Sequence, residues 1–272
     1  YNAFFECKSL KSITFVSLKQ SIVNLSFFDI PSLTQIAIPS SVTTIGASSF
    51  IQCSTLAEIE IPSSVTSIGN CAFKDCSKLK KVIIPSSVTS IGNSSFYNCF
   101  ELKEITIPSS VTLIEDYAFY NCLLLDEIII PSSVTSIGNY SFRGCVSLEK
   151  IKIPSSVTSI GKSAFRACSK LKEITIPSSV TSIGKHSFAG CLSLKYIKIL
   201  SSDDSIESEK TSILQLDEIL IEYQINENSS ENEKERITKL IDEIKIYKTK
   251  TRCIDSNEPI PDGFIKIKII YN

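Results

Sequence analysis

Ten cysteines are the residues of this sequence with the most evident capacity for chemistry. Eight of them fall at multiples of 23 residues: Cys7, Cys53, Cys76, Cys99, Cys122, Cys145, Cys168 and Cys191. Stacked repeats would place this cysteine series in a row about 4.8 Å apart, whereas zinc needs a tetrahedron. Disulfides between neighbours are conceivable, but they would distort a regular stack. We therefore expect buried, reduced thiols and no metal site, with Cys71 and Cys253, outside the series, as the two that could be exposed.

The sequence contains no recognisable set of catalytic residues. The single histidine, His186, lies in a variable position between Gly184 and Phe188. A Ser–His–Asp or Cys–His site needs further partners that the fold fixes, and nothing in the sequence singles them out. The sequence also lacks a glycine-rich phosphate loop. It therefore predicts a protein that is not an enzyme and takes no cofactor.

A set of aromatic, arginine and apolar residues recurs in neighbouring repeats and is suited to binding. We call it the central stripe: Tyr97, Phe100, Tyr120, Leu123, Arg143, Val146 and Arg166. Aromatic and arginine side chains dominate interface energetics, and surface apolar residues do not usually align in register. The alternative is that Phe100, Leu123 and Val146 fold over the edge of the core. The central stripe is the first candidate binding site.

The outward positions of the repeated strands form a second candidate. We call this set the candidate strand face: Lys81, Glu104, Glu127, Lys150 and Tyr196. Lys81 and Lys150 each lie between two glutamates at the same position of the neighbouring repeats. Charges of opposite sign on neighbouring strands also stabilise a sheet by a few tenths of a kcal/mol per pair. A cross-strand charge ladder is therefore the alternative to a recognition surface here.

The central stripe and the candidate strand face are both positioned by a repeat of 23 residues. It reads I-P-S-S-V-T-S-I-G-x-x-x-F-x-x-C-x-x-L-x-x-I-x, and "IPSSVT" occurs seven times. Only L-x-x-I-x-I has the alternation of a strand, which the following proline ends because it lacks an N–H. The other apolar residues lie three apart, which favours short turns or 3₁₀ pieces. So short a unit cannot bury its own apolar side, so neighbouring units must stack.

This pattern resembles the BspA-like, or Treponema-type, leucine-rich repeat, whose signature is L-x-x-I-x-I-P-x-x-V-x-x-I-G-x-x-A-F-x-x-C. The resemblance covers residues 1 to about 200, with Lys19 and Ile30 replacing the expected Val and Cys in the first two, degenerate coils. It implies a right-handed, curved solenoid with a parallel β-sheet on one face and short strands, turns or 3₁₀ pieces on the other. BspA-like proteins of bacteria and protist parasites are implicated in adhesion, and the Ile-, Lys-, Asn- and Ser-rich composition favours a protist source.

Residues 201–272 depart from the repeat but keep part of its pattern. Ser230 and Glu233 have the spacing of a capping box, which predicts a short helix. We interpret 201–272 as atypical capping coils continuous with the array, giving about 12 coils in all; a disordered acidic tail is the alternative. Three further strands are predicted, at Leu216, Ile219 and Ile221, at Ile241, Ile244 and Ile246, and at Phe264, Ile267 and Ile269.

Charge and composition argue against nucleic-acid binding and membrane insertion. With 28 basic and 29 acidic residues, the chain has no basic field for nucleic acid, and no apolar run is long enough to insert into a membrane. The absence of Met and the start at Tyr1 suggest a piece of a longer protein. We expect a non-enzymatic protein–protein interaction module of the adhesion or ligand-binding type. The alternative is an intracellular scaffold or regulatory subunit: unpaired cysteines favour the cytoplasm, whereas the resemblance favours the cell surface.

Overall fold

The computed structural model describes residues 4, 7–15, 20–22, 26–200, 212–216, 219–223 and 230–255. Its elements follow one another along the chain as β1 (Ser12–Thr14), β2 (Gln20–Ile22), β3 (Gln35–Ala37), β4 (Val42–Ile45), β5 (Glu58–Glu60), β6 (Ser67–Ile68), β7 (Lys81–Ile83), β8 (Ser90–Ile91), β9 (Glu104–Thr106), β10 (Leu113–Ile114), β11 (Glu127–Ile129), β12 (Ser136–Ile137), β13 (Lys150–Lys152), β14 (Ser159–Ile160), β15 (Glu173–Ile176), β16 (Ser182–Ile183), β17 (Tyr196–Ile199), β18 (Ser212–Leu216), β19 (Ile219–Tyr223) and α1 (Glu231–Asp255).

Two rows of parallel strands run along the array. The odd-numbered strands up to β17 come from L-x-x-I-x-I and pair in four groups, β1–β3, β5–β7–β9, β11–β13 and β15–β17. Within these groups the strands pair one repeat apart, with Ile59 opposite Val82 and Val82 opposite Ile105. The even-numbered strands up to β16 come from the V-T-S-I segment, where Ile137 lies opposite Ile160. The predicted parallel leucine-rich repeat solenoid is confirmed, but it has about eight turns rather than about 12.

A stack of phenylalanine rings fills the space between the two rows. Successive rings lie one coil apart, with centroids separated by 5.0 to 5.8 Å. The stack comprises Phe27, Phe50, Phe73, Phe96, Phe119, Phe142, Phe165 and Phe188. All but Phe188 are buried, so the phenylalanine of each repeat has its neighbours in the coils before and after it. The repeat is therefore stable only as an array.

The cysteine series lies beside the rings as a column of unpaired thiols, buried as predicted except at Cys7, which is half-buried. Each buried thiol donates to the carbonyl of a phenylalanine 26 residues earlier; Cys122 Sγ lies 3.3 Å from Phe96 O and Cys145 Sγ 3.2 Å from Phe119 O. These carbonyls also accept a backbone N–H, as Phe96 O does from Cys99 N over 3.3 Å. The thiol therefore fills a small buried site and adds a second donor to the carbonyl, which has two lone pairs.

Repeated serines explain why the "IPSSVT" segment, which we call the arm of each coil, is nearly identical from coil to coil. The second serine of each "PSSVT" donates to the valine carbonyl of the preceding coil; Ser133 Oγ lies 2.6 Å from Val111 O and Ser156 Oγ 2.6 Å from Val134 O. Threonine hydroxyls also donate to the preceding coil, where they bond to a threonine carbonyl, as in the 3.2 Å bond from Thr158 Oγ1 to Thr135 O. Each arm is therefore fixed by its hydrogen bonds to the previous coil, which leaves it little freedom to vary.

The glycine of "SIG" is required by close contact between coils. A Cβ on Gly138 would lie 2.6 Å from the backbone of Glu115, and a Cβ on Gly161 would lie 2.5 Å from Asn139 N. Glu115 itself carries a Cβ at this position, and the second row of strands is interrupted there, between β8 and β10. In the described part of the chain, the N–H groups of Thr112 and Glu115 lack the inter-coil bonds that Thr135 and Gly138 make.

The C-terminal strands only partly follow the prediction. β19 pairs in parallel with β17, with Ile197 opposite Ile221, so a strand does extend the array there. Leu216, however, belongs to β18, which is antiparallel to β19. The residues predicted as a third strand, Phe264, Ile267 and Ile269, lie outside the described residues.

A helix replaces the strand predicted at Ile241, Ile244 and Ile246. α1 is 25 residues long, rather than the short helix expected, and it begins at Glu231. Its first turn is capped as predicted, because Glu233 N donates to Ser230 Oγ over 3.2 Å. The strand prediction was wrong because L-x-x-I also fits the i, i+3 spacing of a helix. In α1, Ile237, Leu240 and Ile241 are buried against the core.

Candidate functional site

The arginines and tyrosines of the central stripe directly follow the stacked phenylalanines. Phe96 points into the core, so Tyr97 faces outward from a tight turn closed by the 3.3 Å bond from Cys99 N to Phe96 O. The same turn presents Tyr120, Arg143 and Arg166 in the next coils, all half-buried. The fold therefore aligns these side chains one coil apart.

Four tyrosines form one cluster in three adjacent coils. Tyr97 and Tyr120 stack with centroids 4.5 Å apart and planes within 2°, and Tyr117 and Tyr140 stack at 4.8 Å and 9°. The two pairs meet where Tyr117 lies 5.9 Å from Tyr120 and 6.4 Å from Tyr97. The sequence prediction included Tyr97 and Tyr120 but missed Tyr117 and Tyr140. The missed signal was a second variable column, three residues before Tyr120 and Arg143.

The backbone at the two missed tyrosines is unusual. Tyr117 and Tyr140 both have a φ of +57°, in the left-handed region that bulky residues rarely adopt. Equivalent positions hold Ser94 and Ser163, also with positive φ. The turn therefore requires this conformation in every coil, and tyrosine is a costly residue to place there.

Three cations lie over the rings of Tyr97, Tyr120 and Tyr140. Lys74 Nζ lies 4.9 Å from the centroid of the Tyr97 ring, and Lys162 Nζ lies 5.7 Å from that of Tyr140. The Arg143 guanidinium lies 5.5 Å from the Tyr120 ring and 5.8 Å from the Tyr140 ring. We call this set the tyrosine–cation patch: Tyr97, Tyr117, Tyr120, Tyr140, Lys74, Arg143 and Lys162. Such cation–π contacts contribute about 0.5–1 kcal/mol each at exposed sites.

The phenol of Tyr97 is held in its protonated form. Burial, followed by its neighbour Tyr120 and the carboxylate of Asp75, raises the pKa of Tyr97 above its usual value. A neutral phenol donates a hydrogen bond. The Tyr97 phenol therefore stays protonated to a higher pH than that of an ordinary tyrosine.

The apolar residues of the central stripe differ in exposure. Phe100 is 37% exposed, whereas Leu123 and Val146 are half-buried beside the buried cysteines. Leu124, which the sequence analysis did not single out, is 49% exposed. The alternative interpretation, an edge of the core, thus describes Leu123 and Val146 better than it describes Phe100.

The candidate strand face divides into two parts. Lys81 Nζ lies 2.7 Å from Glu104 Oε2, and this hydrogen bond raises the pKa of Lys81 and lowers that of Glu104. Both side chains are more than half exposed, so the pair adds little stability. Lys150 forms no ion pair in the described part of the chain. It lines a groove of about 800 Å³ together with Glu127, Ile129 and Tyr196.

Within the described ranges, no three His, Cys, Asp or Glu side chains are grouped so that they could hold a metal ion. Among these residues there is also no helix of sufficient length and hydrophobicity to span a membrane.

Comparison with known proteins identifies the repeat. A leucine-rich repeat protein from Bacteroides ovatus is 27% identical, over 72% of this chain and 58% of its own length, with a TM-score of 0.58. A leucine-rich repeat protein of T. pallidum is 28% identical over 67% of this chain and 74% of its own, with a TM-score of 0.50. The chain thus spans less than two thirds of the Bacteroides protein. No curated protein matches it significantly in sequence. The BspA type leucine rich repeat region matches residues 1–103 and 89–214 in six copies, and the chain belongs to this family.

Proposed function

We propose that the chain is a non-enzymatic protein-interaction module whose partner binds the tyrosine–cation patch and the adjacent side chain of Phe100. The observation that carries this proposal is the concentration of four tyrosines and three cations in a few coils of an otherwise uniform array. Tyrosine and arginine are the side chains that most often dominate binding energy. Extended repeat surfaces are commonly used for protein partners.

The strained tyrosines support the same surface. Tyr117 and Tyr140 occupy a left-handed position where serine serves the fold in neighbouring coils. The turn needs a positive φ in every coil, but a bulky tyrosine is a costlier residue there than serine, and residues held in such conformations cluster at ligand sites. Within the proposed site, Tyr97, Tyr120 and Arg143 are anchors, and Arg166 extends the site by one coil. Leu123 and Val146 contribute at most a partly covered floor.

Affinity capture from cell extracts tests the proposal. The immobilised chain should retain a partner. The double variant Tyr120→Ala with Arg143→Ala should bind that partner more weakly by at least about 2 kcal/mol, which is about thirtyfold in affinity. The matched control is Lys150→Glu with Tyr196→Ala in the groove of the candidate strand face, which should retain the partner. The reverse result would assign binding to the strand face. Unchanged capture by both variants would contradict the proposal for either surface.

The module suits an adhesion-type role, and the family supports this over a catalytic one. The rival role is an intracellular scaffold, which the column of unpaired thiols favours, because thiols stay reduced in the cytoplasm. Antibody labelling of intact cells separates the two roles. Labelling before permeabilisation supports adhesion, and labelling only after permeabilisation supports the scaffold.

We also propose that residues 201–272 cap the array. In the described part of this segment, Arg236 donates to Val180 O over 2.6 Å and to Leu200 O over 2.9 Å. In earlier coils the corresponding valine carbonyl accepts from a serine of the next coil, as Val157 O does from Ser179. A side chain of α1 thus takes the place of a missing coil.

A further inference from the structure

The stacking of the tyrosines decides which ligand the patch can take. Lys74, Tyr97, Tyr120 and Arg143 form one continuous column, with the two rings 4.5 Å apart and a cation on each outer face. Both faces of both rings are therefore covered. A nucleobase or a sugar ring would need a free ring face on which to stack. This column offers none.

The second column is built differently at one end. Tyr140 lies between Tyr117 at 4.8 Å and Lys162 at 5.7 Å, but among the described residues no ring or cation stacks on the other face of Tyr117, whose contacts with Tyr97 and Tyr120 are tilted. Apart from that one ring face, the two columns offer a ligand ring edges, phenol hydroxyls and cationic groups. Hydroxyl donors beside cations favour ligands that carry negative charge.

The charges of the patch are available for such a ligand. Within the described residues, Lys74, Arg143, Lys162 and Arg166 form no ion pair, in contrast to Lys81. The nearby acids already accept hydrogen bonds from asparagines: Asp75 Oδ1 from Asn98 Nδ2 at 2.8 Å, and Asp116 from Asn139 N at 2.6 Å and Asn139 Nδ2 at 3.1 Å. The cations thus form no ion pair, and the nearby carboxylates, which keep their negative charge, are held in place by hydrogen bonds from asparagines.

We propose that the patch binds an acidic segment of a protein, extended along the axis of the array. The cations run from Lys74 to Arg166, four coils apart, or about 19 Å at the spacing of neighbouring strands. One phosphate or carboxylate cannot reach both ends, whereas about six extended residues can. The exposed Phe100 offers an apolar contact that suits the side chains of a polypeptide better than a sulfated glycan. This inference rests on the proposed function and adds the chemical class of the partner.

A synthetic peptide tests it directly. The probe is an extended peptide of about twelve residues, about 40 Å long, in which glutamate alternates with serine and leucine; the control carries glutamine for every glutamate. Fluorescence anisotropy should show the acidic peptide binding at least about tenfold more tightly. Its affinity should fall by about tenfold between about 0.05 and 0.5 M NaCl, because salt screens exposed charges. Equal affinity for the two peptides, or no binding of either, would overturn the inference.

Matched variants locate the binding. Arg143→Ala with Arg166→Ala should weaken acidic-peptide binding at least about tenfold. Lys170→Ala with Lys195→Ala removes the same charge from exposed positions outside the patch and should change affinity less than about twofold. Tyr120→Phe keeps the ring and removes the hydroxyl, and it should weaken binding about threefold. Melting curves confirm that each variant is folded. Equal weakening by the two double variants would show an effect of net charge alone and overturn the assignment.

Heparin supplies the competing class of ligand. Binding of heparin without binding of the acidic peptide would overturn the inference in favour of a sulfated glycan. The proposed function can be judged separately. If Tyr120→Ala with Arg143→Ala abolishes partner capture while the acidic peptide does not bind, the interaction surface stands and only its acidic partner class fails.

Discussion

The buried cysteine of each coil makes the stability of the folded array depend on pH. Burial raises the pKa of Cys53 and Cys145 to about 12 and raises the pKa of Cys76, Cys99 and Cys122 well above the usual thiol range. In the unfolded chain the same thiols ionise near pH 8.5. The folded state therefore binds more protons than the unfolded state at alkaline pH, and its stability falls as pH rises.

We predict that the free energy of unfolding is constant with respect to these thiols below about pH 8 and declines from there towards pH 12. Cys145→Ala removes one titrating group, so its stability should decline less steeply over this window than that of the wild type. Urea denaturation at several pH values measures both slopes. Parallel slopes for variant and wild type would contradict the linkage. Native thiol labelling is the companion measurement, and it should leave Cys145 unlabelled while half-buried Cys71 reacts.

Ser141 offers a second test at the scale of one residue. Its buried Oγ has no hydrogen-bond partner among the described residues, whereas Ser95 Oγ donates to Gly92 O at 2.5 Å. Alanine occupies the same position in the flanking coils, at Ala118 and Ala164. Ser141→Ala should therefore be neutral or stabilising by up to about 1 kcal/mol, whereas Ser95→Ala should cost about 1 kcal/mol. Urea denaturation compares the two, and equal losses would mean that Ser141 does have a partner.

The patch shows how far residue-level prediction reaches. Tyr97, Tyr120 and Arg143 were found because variable residues stand out against a constant repeat. Tyr117 and Tyr140 were missed because only the column after the phenylalanine was compared across coils. The left-handed backbone that brings the two columns together is not visible in residue types, since Ser94 and Ser163 adopt it too.

At the scale of elements, the repeat period predicted the first row of strands and the phenylalanine stack, because strands and turns alternate at fixed offsets. The period alone did not predict the second row, whose strands are mostly two residues long and carry no alternation of their own; short strands on that face were implied by the resemblance to the BspA-like repeat. It also failed at α1, where spacing of three residues fits a helix and a strand equally. Local pattern is therefore decisive only where several coils repeat it.

α1 carries the prediction that belongs to this scale. Arg236 pairs with Glu233 at 2.9 Å, and both side chains are nearly buried, with 11% and 8% exposed. Arg236→Ala would remove the ion-pair partner of the buried Glu233 carboxylate and the donor to the carbonyls of Val180 and Leu200. We expect a loss of about 3–5 kcal/mol in the stability of the C-terminal end. Lys234→Ala, whose pair with Glu231 is exposed, should cost less than about 1 kcal/mol. Similar melting curves for both variants would contradict the capping role.

At the scale of the whole molecule, the phenylalanine core is continuous, whereas both rows of strands are divided. The first row is open between β3 and β5, between β9 and β11 and between β13 and β15, and the second row is open between β8 and β10. The phenylalanine stack passes from Phe96 to Phe119 with a spacing of 5.6 Å, but the second row of strands stops at β8 and starts again at β10. Glu115 stands at this junction, where other coils have a glycine too close to its neighbour to carry a Cβ. The stacked Tyr97 and Tyr120 join the same two coils. The patch thus lies across the place where the second row of strands is open.

The last prediction concerns this junction. The amides of Thr112 and Glu115 should exchange with solvent faster than those of Thr135 and Gly138, their equivalents in the next coil, because only the latter donate to the preceding coil. Glu115→Gly removes the obstructing Cβ, so the ladder can close and exchange at Thr112 should slow to the rate of Thr135. Two recovered hydrogen bonds, at about 1 kcal/mol each, are partly offset by about 1 kcal/mol of glycine backbone entropy. Global stability should therefore rise by no more than about 1 kcal/mol. Hydrogen exchange followed by mass spectrometry measures this, and equal protection of the two coils in the wild type would show that Glu115 does not open the array.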